Sequence, residues 1–569
     1  MKGNQSFVRK VIYLLVMAAL LVPLNMISSP ATNQSGGGAL ARMRTEHGLS
    51  QANLGEIDPA GASMSLATLG MRGVAANLLW GRAYHYKKTE NWDSFNATLN
   101  QITKLQPNFI SVWKFQAWNL SYNISVEFDD YRHRYHWVKK GVDFLIKGTR
   151  YNRNEPRLLW DLGWFFGHKF GRSDEHVQFR RLFREDEDFH NDHFANATAP
   201  IREEAVNGAD GRPDNWLVAR HWYLTAQRVV DTKAAPLKGS SPLIFHSDSP
   251  KALINYADAI EEEGYLDEKG QTAWKEALRA WLEYGDRSIP TSFGYQIRLN
   301  DLEPLRERSA SLQVEFNQLA EGILDQIVEE KKRQLSEEEL TVIDLPPAER
   351  TPEQYELAIV AEEKIKVTEP EVAERVATEQ RIVARRLAKE LVETAQFANT
   401  IDRYRNIVNF EYWRERCEVE QQDEMIAARR HIYDANKLFD QAELLDAQRQ
   451  FETGWDHWAG IFDRYPMLLE DVEGEDLYDS VIRYEQLLGQ LDEPFPPPGF
   501  KLSALLKAQG RELVVPETSG STILDELESP AEETPESEQD TSEGEDPTET
   551  NSEPQPDSVE PEPTSGDAE

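Results

Sequence analysis

Two short stretches hold the residue types that could do metal chemistry. "EFDDYRHRYHW" contains Asp129, His133 and His136, with the two histidines three apart in a stretch patterned as a helix. "REDEDFHNDH" contains Glu187, His190 and His193. Its Glu-x-x-His spacing is the one by which helical bundles present half of a di-iron carboxylate site. Imidazole together with carboxylate suits iron, zinc or manganese. The plainer reading makes the same side chains solvated or structural groups on helix surfaces, paired with Arg132, Arg134 and Arg184. The chain has no GxxxxGK phosphate loop, no GxSxG elbow and no HExxH zinc motif. It therefore points to no catalytic residue and no cofactor, and an enzyme is the less favoured class.

A second set of residues could bind a partner instead. Seven tryptophans fall early, at 80, 92, 113, 118, 137, 160 and 164. Most of them read as core, but Trp113 and Trp118 are candidates for gripping an extended ligand. "KFGRSDEHVQFRRLFR" gathers Arg172, Arg180, Arg181 and Arg184 into a local basic run that could dock an acidic segment. One such segment is the chain's own C-terminus. From Glu517 to Glu569 there are nineteen acidic residues and no Lys or Arg, which supplies about half of the net charge of -37. The rest of the chain is also acidic, so nucleic acid is not expected as a partner, because phosphate backbones need a basic face.

The elements that would position these residues are helices. The stretch "NLLWGRAYHYKKTENWDSFNATLNQITKLQPN" places Ala75, Leu79, Ala83 and Tyr86 on one helical face. Trp92, Phe95, Leu99, Ile102 and Leu105 share the face of a second helix, with Pro107 as its stop. Similar hairpins follow: Trp113, Ala117 and Leu120; a helix closed at Pro156; Trp160, Leu162, Gly163 and Phe166; Leu253, Tyr256, Ala257 and Ile260 with a turn at Gly264, then Ala273, Ala277 and Ala280; and Ala435, Leu438, Ala447, Phe451 and Gly454. A lone two-helix hairpin leaves one apolar face uncovered, so each unit requires a neighbour. The predicted fold is all-α.

The spacings resemble the tetratricopeptide repeat, a helix–turn–helix unit of about 34 residues. Ala83, Tyr86, Leu99 and Pro107 match its pattern. Phe95 stands where that family has a small residue, and insertions interrupt later units. The stretches "LATLGMRGVAANLLW", "LQPNFISVWKFQAWNLSYNISVEFDDYRHRYHWV" and "GTRYNRNEPRLLWDLGWFFGHKFGRSDEHVQFRRLF" also resemble a family of exported, membrane-anchored planctomycete proteins. That resemblance spans roughly residues 40 to 310. It implies architecture and compartment, not chemistry; the iron-responsive-element label on some members finds no support in these residues.

The N-terminus fits that compartment. Lys2, Arg9 and Lys10 precede an apolar run from Val11 to Ile27. This reads as a transmembrane anchor, or alternatively a signal peptide, with the basic residues inside and the bulk of the chain exported. Residues 28–61 read as a flexible tether, 62–300 as tetratricopeptide-like repeats and 301–425 as long charged helices. Residues 426–510 read as further hairpins and 511–569 as a disordered acidic tail. The single cysteine, Cys417, rules out an internal disulfide. The leading expectation is a membrane-tethered scaffold binding a protein or peptide on the exported side. A metal-binding protein using the acidic histidine segments and a structural spacer of the cell envelope are the alternatives.

Overall fold

The computed structural model describes residues 38–46, 72–89, 91–196, 201–232, 242–291, 294–469 and 472–511, with isolated positions between 11 and 27. The acidic tail, most of the apolar N-terminal run and most of the expected tether lie outside the described residues. Among the described residues no helix is long and apolar enough to cross a membrane.

The described residues are almost entirely helical, with one two-stranded ribbon, Ile289–Pro290 paired antiparallel to Gln296–Ile297. In chain order the helices are α1 (Ala39–Glu46), α2 (Arg72–Lys88), α3 (Trp92–Leu105), α4 (Ile110–Trp118), α5 (Tyr131–Tyr151), α6 (Pro156–Trp164), α7 (His176–Glu185) and α8 (Glu187–Asn196). Then come α9 (Asn215–Asp231), α10 (Leu243–Glu262), α11 (Glu268–Asp286), α12 (Leu302–Leu319), α13 (Ile323–Lys332), α14 (Glu337–Asp344), α15 (Pro352–Ile365), α16 (Glu369–Arg375) and α17 (Arg381–Ile407). The last are α18 (Phe410–Glu420), α19 (Asp423–Asp440), α20 (Leu444–Arg464), α21 (Val472–Gln490) and α22 (Ser503–Ala508).

Helices near one another in the chain pack together: α2 on α3, α4 on α5, α6 on α9, α9 on α10, α10 on α11 and α19 on α20. The first hairpin follows its apolar pattern. Ala83, Phe95, Leu99 and Ile102 are buried together, and Asn91 caps α3 by accepting from the Ser94 N–H. Pro107 does more than stop a helix. Its carbonyl accepts from the Trp113 indole at 2.8 Å and from Asn152 Nδ2 at 2.9 Å, tying the first hairpin to the second. Gly148 on α5 lets that tryptophan lie flat, since a Cβ there would sit 2.9 Å from the indole ring. At the α10–α11 turn, Gly264 takes φ +92°, a conformation that costs a side-chain-bearing residue, and the Tyr433 hydroxyl fills the space a Cβ would need.

One boundary differs from the sequence expectation. Pro156 opens α6 at its first turn instead of closing the helix before it, and a proline is tolerated there because that N–H has no helical partner. Pro250 lies inside α10, which begins at Leu243. The stretch free of Gly and Pro after Glu371 is divided among successive helices. It breaks at Val408–Asn409, where Asn409 adopts the left-handed conformation, and again at Gln421–Gln422. Asparagine reaches that conformation at lower cost than most residues.

Residues Leu302 to Ile407 form an excursion. Helices α12 and α17 pack lengthwise against each other and share a small core of Leu312, Phe316, Leu387, Ala388 and Leu391. The chain leaves after α11 and returns at α18, and these two helices touch. Across this junction the Trp281 indole donates to the Phe410 carbonyl at 2.9 Å.

Candidate functional site

The histidine segments do not converge on a metal site. Asp129, His133 and His136 are exposed around the start of α5, and it is the neighbouring Asp130 that caps the helix. In the second segment Glu187 is exposed while both histidines turn inward. His190 Nε2 lies 2.5 Å from the Phe183 carbonyl. His193 stacks between Phe166 and Trp222, with ring centroids at 5.1 and 5.8 Å. Burial pushes the His193 imidazole down to about 3, so it sits in this aromatic core as a neutral ring. Among the described residues no group of three or more His, Cys, Asp or Glu is placed to hold a metal ion. The Glu-x-x-His spacing does not bring its two ends together, because Glu187 stands in solvent while His190 is buried.

The basic run is not a patch either. Arg180 is 2% exposed and is clamped by Asp214 (Nη2–Oδ2, 2.9 Å), Glu263 (Nε–Oε1, 2.8 Å) and Asn215. Arg184 makes a two-pronged contact with the same Glu263, at 2.6 and 2.8 Å. These two residues join α7 to the start of α9 and the end of α10. Arg181 remains exposed beside the Tyr131 hydroxyl, and Arg172 donates to Asn255. Trp113 is core, only 1% exposed. Of the two tryptophans singled out, Trp118 alone reaches the surface, at 41% exposure.

Trp118 begins a feature that sequence reasoning missed. Helices α4 and α6 each run on into a π-helical turn, Asn119–Ile124 and Phe165–Lys169. Such turns re-aim side chains and recur at functional sites. Here they bring Trp118, Tyr122, Trp164 and His168 into one stacked row. The centroids are 4.0 Å apart for Trp118–Tyr122, 5.8 Å for Trp118–Trp164 and 5.1 Å for Trp164–His168. His168 then meets the edge of Trp216 at 6.0 Å. Lys169 is buried against this row with Nζ 4.5 Å above the Tyr122 ring, and burial lowers its pKa. The available signal was the same aromatic spacing, Trp-x-x-x-Tyr and Trp-x-x-x-His, in two successive units.

The row leads into a cleft. Trp216 and Arg172 line a cavity of about 750 Å³ whose far wall is Tyr412, Trp413 and Arg416 of α18. It shares Asp258, Glu262 and Asp476 with a second cavity of about 310 Å³ between α10, α19 and α21. Behind these walls lies a buried charge network. Glu420 is fully buried and takes both prongs of Arg429, Nε donating to Oε2 at 2.7 Å and Nη2 to Oε1. Arg416 Nη2 donates to Asp258 Oδ1 at 2.8 Å. Glu261 is 5% exposed and lines the smaller cavity. Its carboxylate is ion-paired with Arg429 Nε at 3.4 Å and lies beside the Trp274 indole. Burial pushes the Glu261 carboxyl well above the usual range, Arg429 opposes the shift, and Glu420 and Asp258 add to it. Cys417, on the same helix as Arg416, is buried, and its thiol is pushed up to about 12, so it is an inert packed residue.

No protein-family model matches this chain, and no curated protein matches it.

Proposed function

We propose that this protein is a helical-repeat scaffold, of tetratricopeptide-like construction, that binds an extended peptide segment of another protein. The observation that carries this reading is the aromatic row from Trp118 to Trp216 opening directly into the cleft. Stacked helical hairpins generate long surfaces suited to extended chains. Partly exposed aromatic rings on such a surface, Trp118 above all, offer large contact area at low entropic cost. The basic residues Lys2, Arg9 and Lys10 ahead of the apolar run Val11–Ile27 support tethering to the cytoplasmic membrane, with the repeats on the exported side.

The test uses the full chain in its native membranes, with the photo-reactive p-benzoylphenylalanine in place of Tyr122. A second position, Val314 on the exposed face of α12, serves as control. A crosslinked partner is expected from position 122 and not from 314, and its yield is expected to drop at least fivefold when Trp118 and Trp164 are both changed to Ala. Equal labelling from the two positions, or a yield indifferent to the alanine changes, would remove this reading.

A further inference from the structure

Helix α2 has two apolar faces, and the first hairpin uses only one of them. Ala76 and Ala83 are buried, and Leu79 and Tyr86 pack on the small core shared with α3. On the other side Val74, Leu78, Gly81 and His85 follow at spacings of four, three and four, which makes one helical stripe, and all four are exposed. A single exposed apolar residue is ordinary on any protein surface. Here Leu78, 70% exposed, also opens a hollow of about 680 Å³ lined by Leu79, Arg82, Tyr86 and Leu105. Charge sets the same helix apart. The stretch from Pro59 to Thr89 contains Arg72, Arg82, Lys87 and Lys88 and no Asp or Glu, in a chain whose net charge is -37. From Met1 to Lys88 there are nine Lys or Arg against three Asp or Glu, the reverse of the balance everywhere beyond. Arg82, Lys87 and Lys88 are all exposed. By helical position Arg82 borders the stripe on one side, and Lys88 and Tyr84 border it on the other. Lys87 leans across the Phe115 ring of α4, 5.6 Å from its centroid.

We infer that this face of α2 docks on an anionic lipid surface and lays the first hairpin against the bilayer. Charge and apolar area together select that occupant. An acidic peptide, the chain's own tail included, would pair with the cations but leave Val74 and Leu78 in water. A second copy of α2 would cover the apolar stripe but set one basic helix against another. A bilayer surface offers acyl chains beneath a layer of phosphates. Lysine and arginine reach that layer while their stems lie along the apolar face, and a tyrosine ring such as Tyr84 suits the same depth. The acidic remainder of the chain is repelled by the same headgroups, so docking by the basic end also sets which end of the stack faces the membrane. The inference shares the membrane tether with the reading above and does not depend on the peptide.

The test puts a nitrobenzoxadiazole fluorophore on the full chain through Leu78→Cys. Cys417 is buried and its thiol is pushed up to about 12, so the label goes to the new cysteine. Val314→Cys, exposed on α12, is the control position. Each labelled chain is reconstituted in vesicles of phosphatidylcholine mixed with phosphatidylglycerol, with and without nitroxide-bearing lipid. Quenching by the nitroxide lipid is expected to be at least threefold greater at 78 than at 314. It is expected to fall at least threefold in vesicles of phosphatidylcholine alone, and when Arg82→Glu, Lys87→Glu and Lys88→Glu are made together. The lipid comparison needs no charge variant and decides the matter if the triple change does not fold. Equal quenching at the two positions, or quenching at 78 indifferent to lipid charge, would overturn the inference. So would emission at 78 already shifted to the blue in detergent and unquenched after reconstitution, which would mean that the chain itself or a second copy covers the face. Flotation with the vesicles reads the tether separately. If the chain floats with both lipid compositions while position 78 stays unquenched, the tether stands and the docking face falls. If it floats only with the anionic vesicles and position 78 is quenched there, the docking face stands and the tether falls. Failure to float with either removes both.

Discussion

The stacked hairpins and the excursion from Leu302 to Ile407 are both helical, yet they are held together differently. The stack buries large aromatic rings, among them Trp113, Trp222, Trp274 and Trp281, and it keeps charge inside, at Arg180 and Glu420. The small core of the excursion is alanine, leucine, valine and isoleucine with a single Phe, and apart from the buried Arg405, paired with Glu303 and Glu411, most of its ion pairs sit in water. Arg308–Glu390, Arg385–Glu374 and Arg375–Glu330 are all about half exposed on both partners. Exposed pairs contribute little each. Buried ones are costly to break, because the surviving partner is left charged in a poor solvent. The comparison teaches that helical content alone says little about stability. The same secondary structure gives a region locked by desolvated charge and wide rings, and another held by a thin apolar seam.

The sharpest way to break this contrast is Arg180→Ala. It strands Asp214 inside the stack, and the expected loss is about 3–5 kcal/mol, read as a lower midpoint in denaturant unfolding followed by tryptophan fluorescence. That probe reports on the stack alone, since the excursion contains no tryptophan. A loss below about 1 kcal/mol would show that the clamp is replaceable by water. The next largest effect belongs to the excursion. Leu391→Ala opens its narrow core and is expected to cost about 2–3 kcal/mol locally. Amide hydrogen exchange should quicken in α12 and α17, while the tryptophan-detected midpoint stays put. Loss of both signals together would mean that the two regions unfold as one.

The smallest effect separates the regions by pH. His193 is held near 3 and His246 near 4, in both cases mainly by burial, and each therefore favours the folded state only while neutral. For a group whose folded pKa lies below its unfolded value of about 6.5, the stabilisation is complete above that value. It is lost progressively as pH falls toward the folded pKa. Lowering the pH from 7 to 5 is expected to cost the stack about 2 kcal/mol through His193. His193→Phe, which keeps the stacking between Phe166 and Trp222, should flatten the tryptophan-detected dependence. The excursion contains no histidine and has no such contribution. An unchanged slope in the variant would place the acid sensitivity elsewhere.

The periodic features were legible from residues alone. Ala83, Phe95, Leu99, Trp113, Ala117, Leu253 and Ala277 all lie on the faces their spacing predicted, because one helix face is enough to set burial. What misled was local clustering of charge. Arg172, Arg180, Arg181 and Arg184 read as a patch, since sequence spacing cannot show that Asp214 and Glu263 arrive from two other helices. His190 and His193 stand as candidate ligands beside a structural reading because their neighbours in sequence are acidic; their neighbours in space are phenylalanines and Trp222. The aromatic row was hidden for a third reason. It depends on two π-helical turns, which the repeated Trp-x-x-x-Tyr and Trp-x-x-x-His spacing does not by itself specify.

The junction where Trp281 meets Phe410 also sets an order in time. The acidic cavity takes one wall from α10 and the other from α19 and α21, so Glu261 must wait for Arg429, far along the chain. Contacts this remote are slow to form, because the intervening chain must be gathered first. An excursion whose ends already lie side by side shortens that search, since once folded it replaces a long floppy loop with a short, rigid step. The early hairpins, built from near neighbours, can form while the later chain is still absent. That acidic cavity is thus among the last parts of the molecule to form.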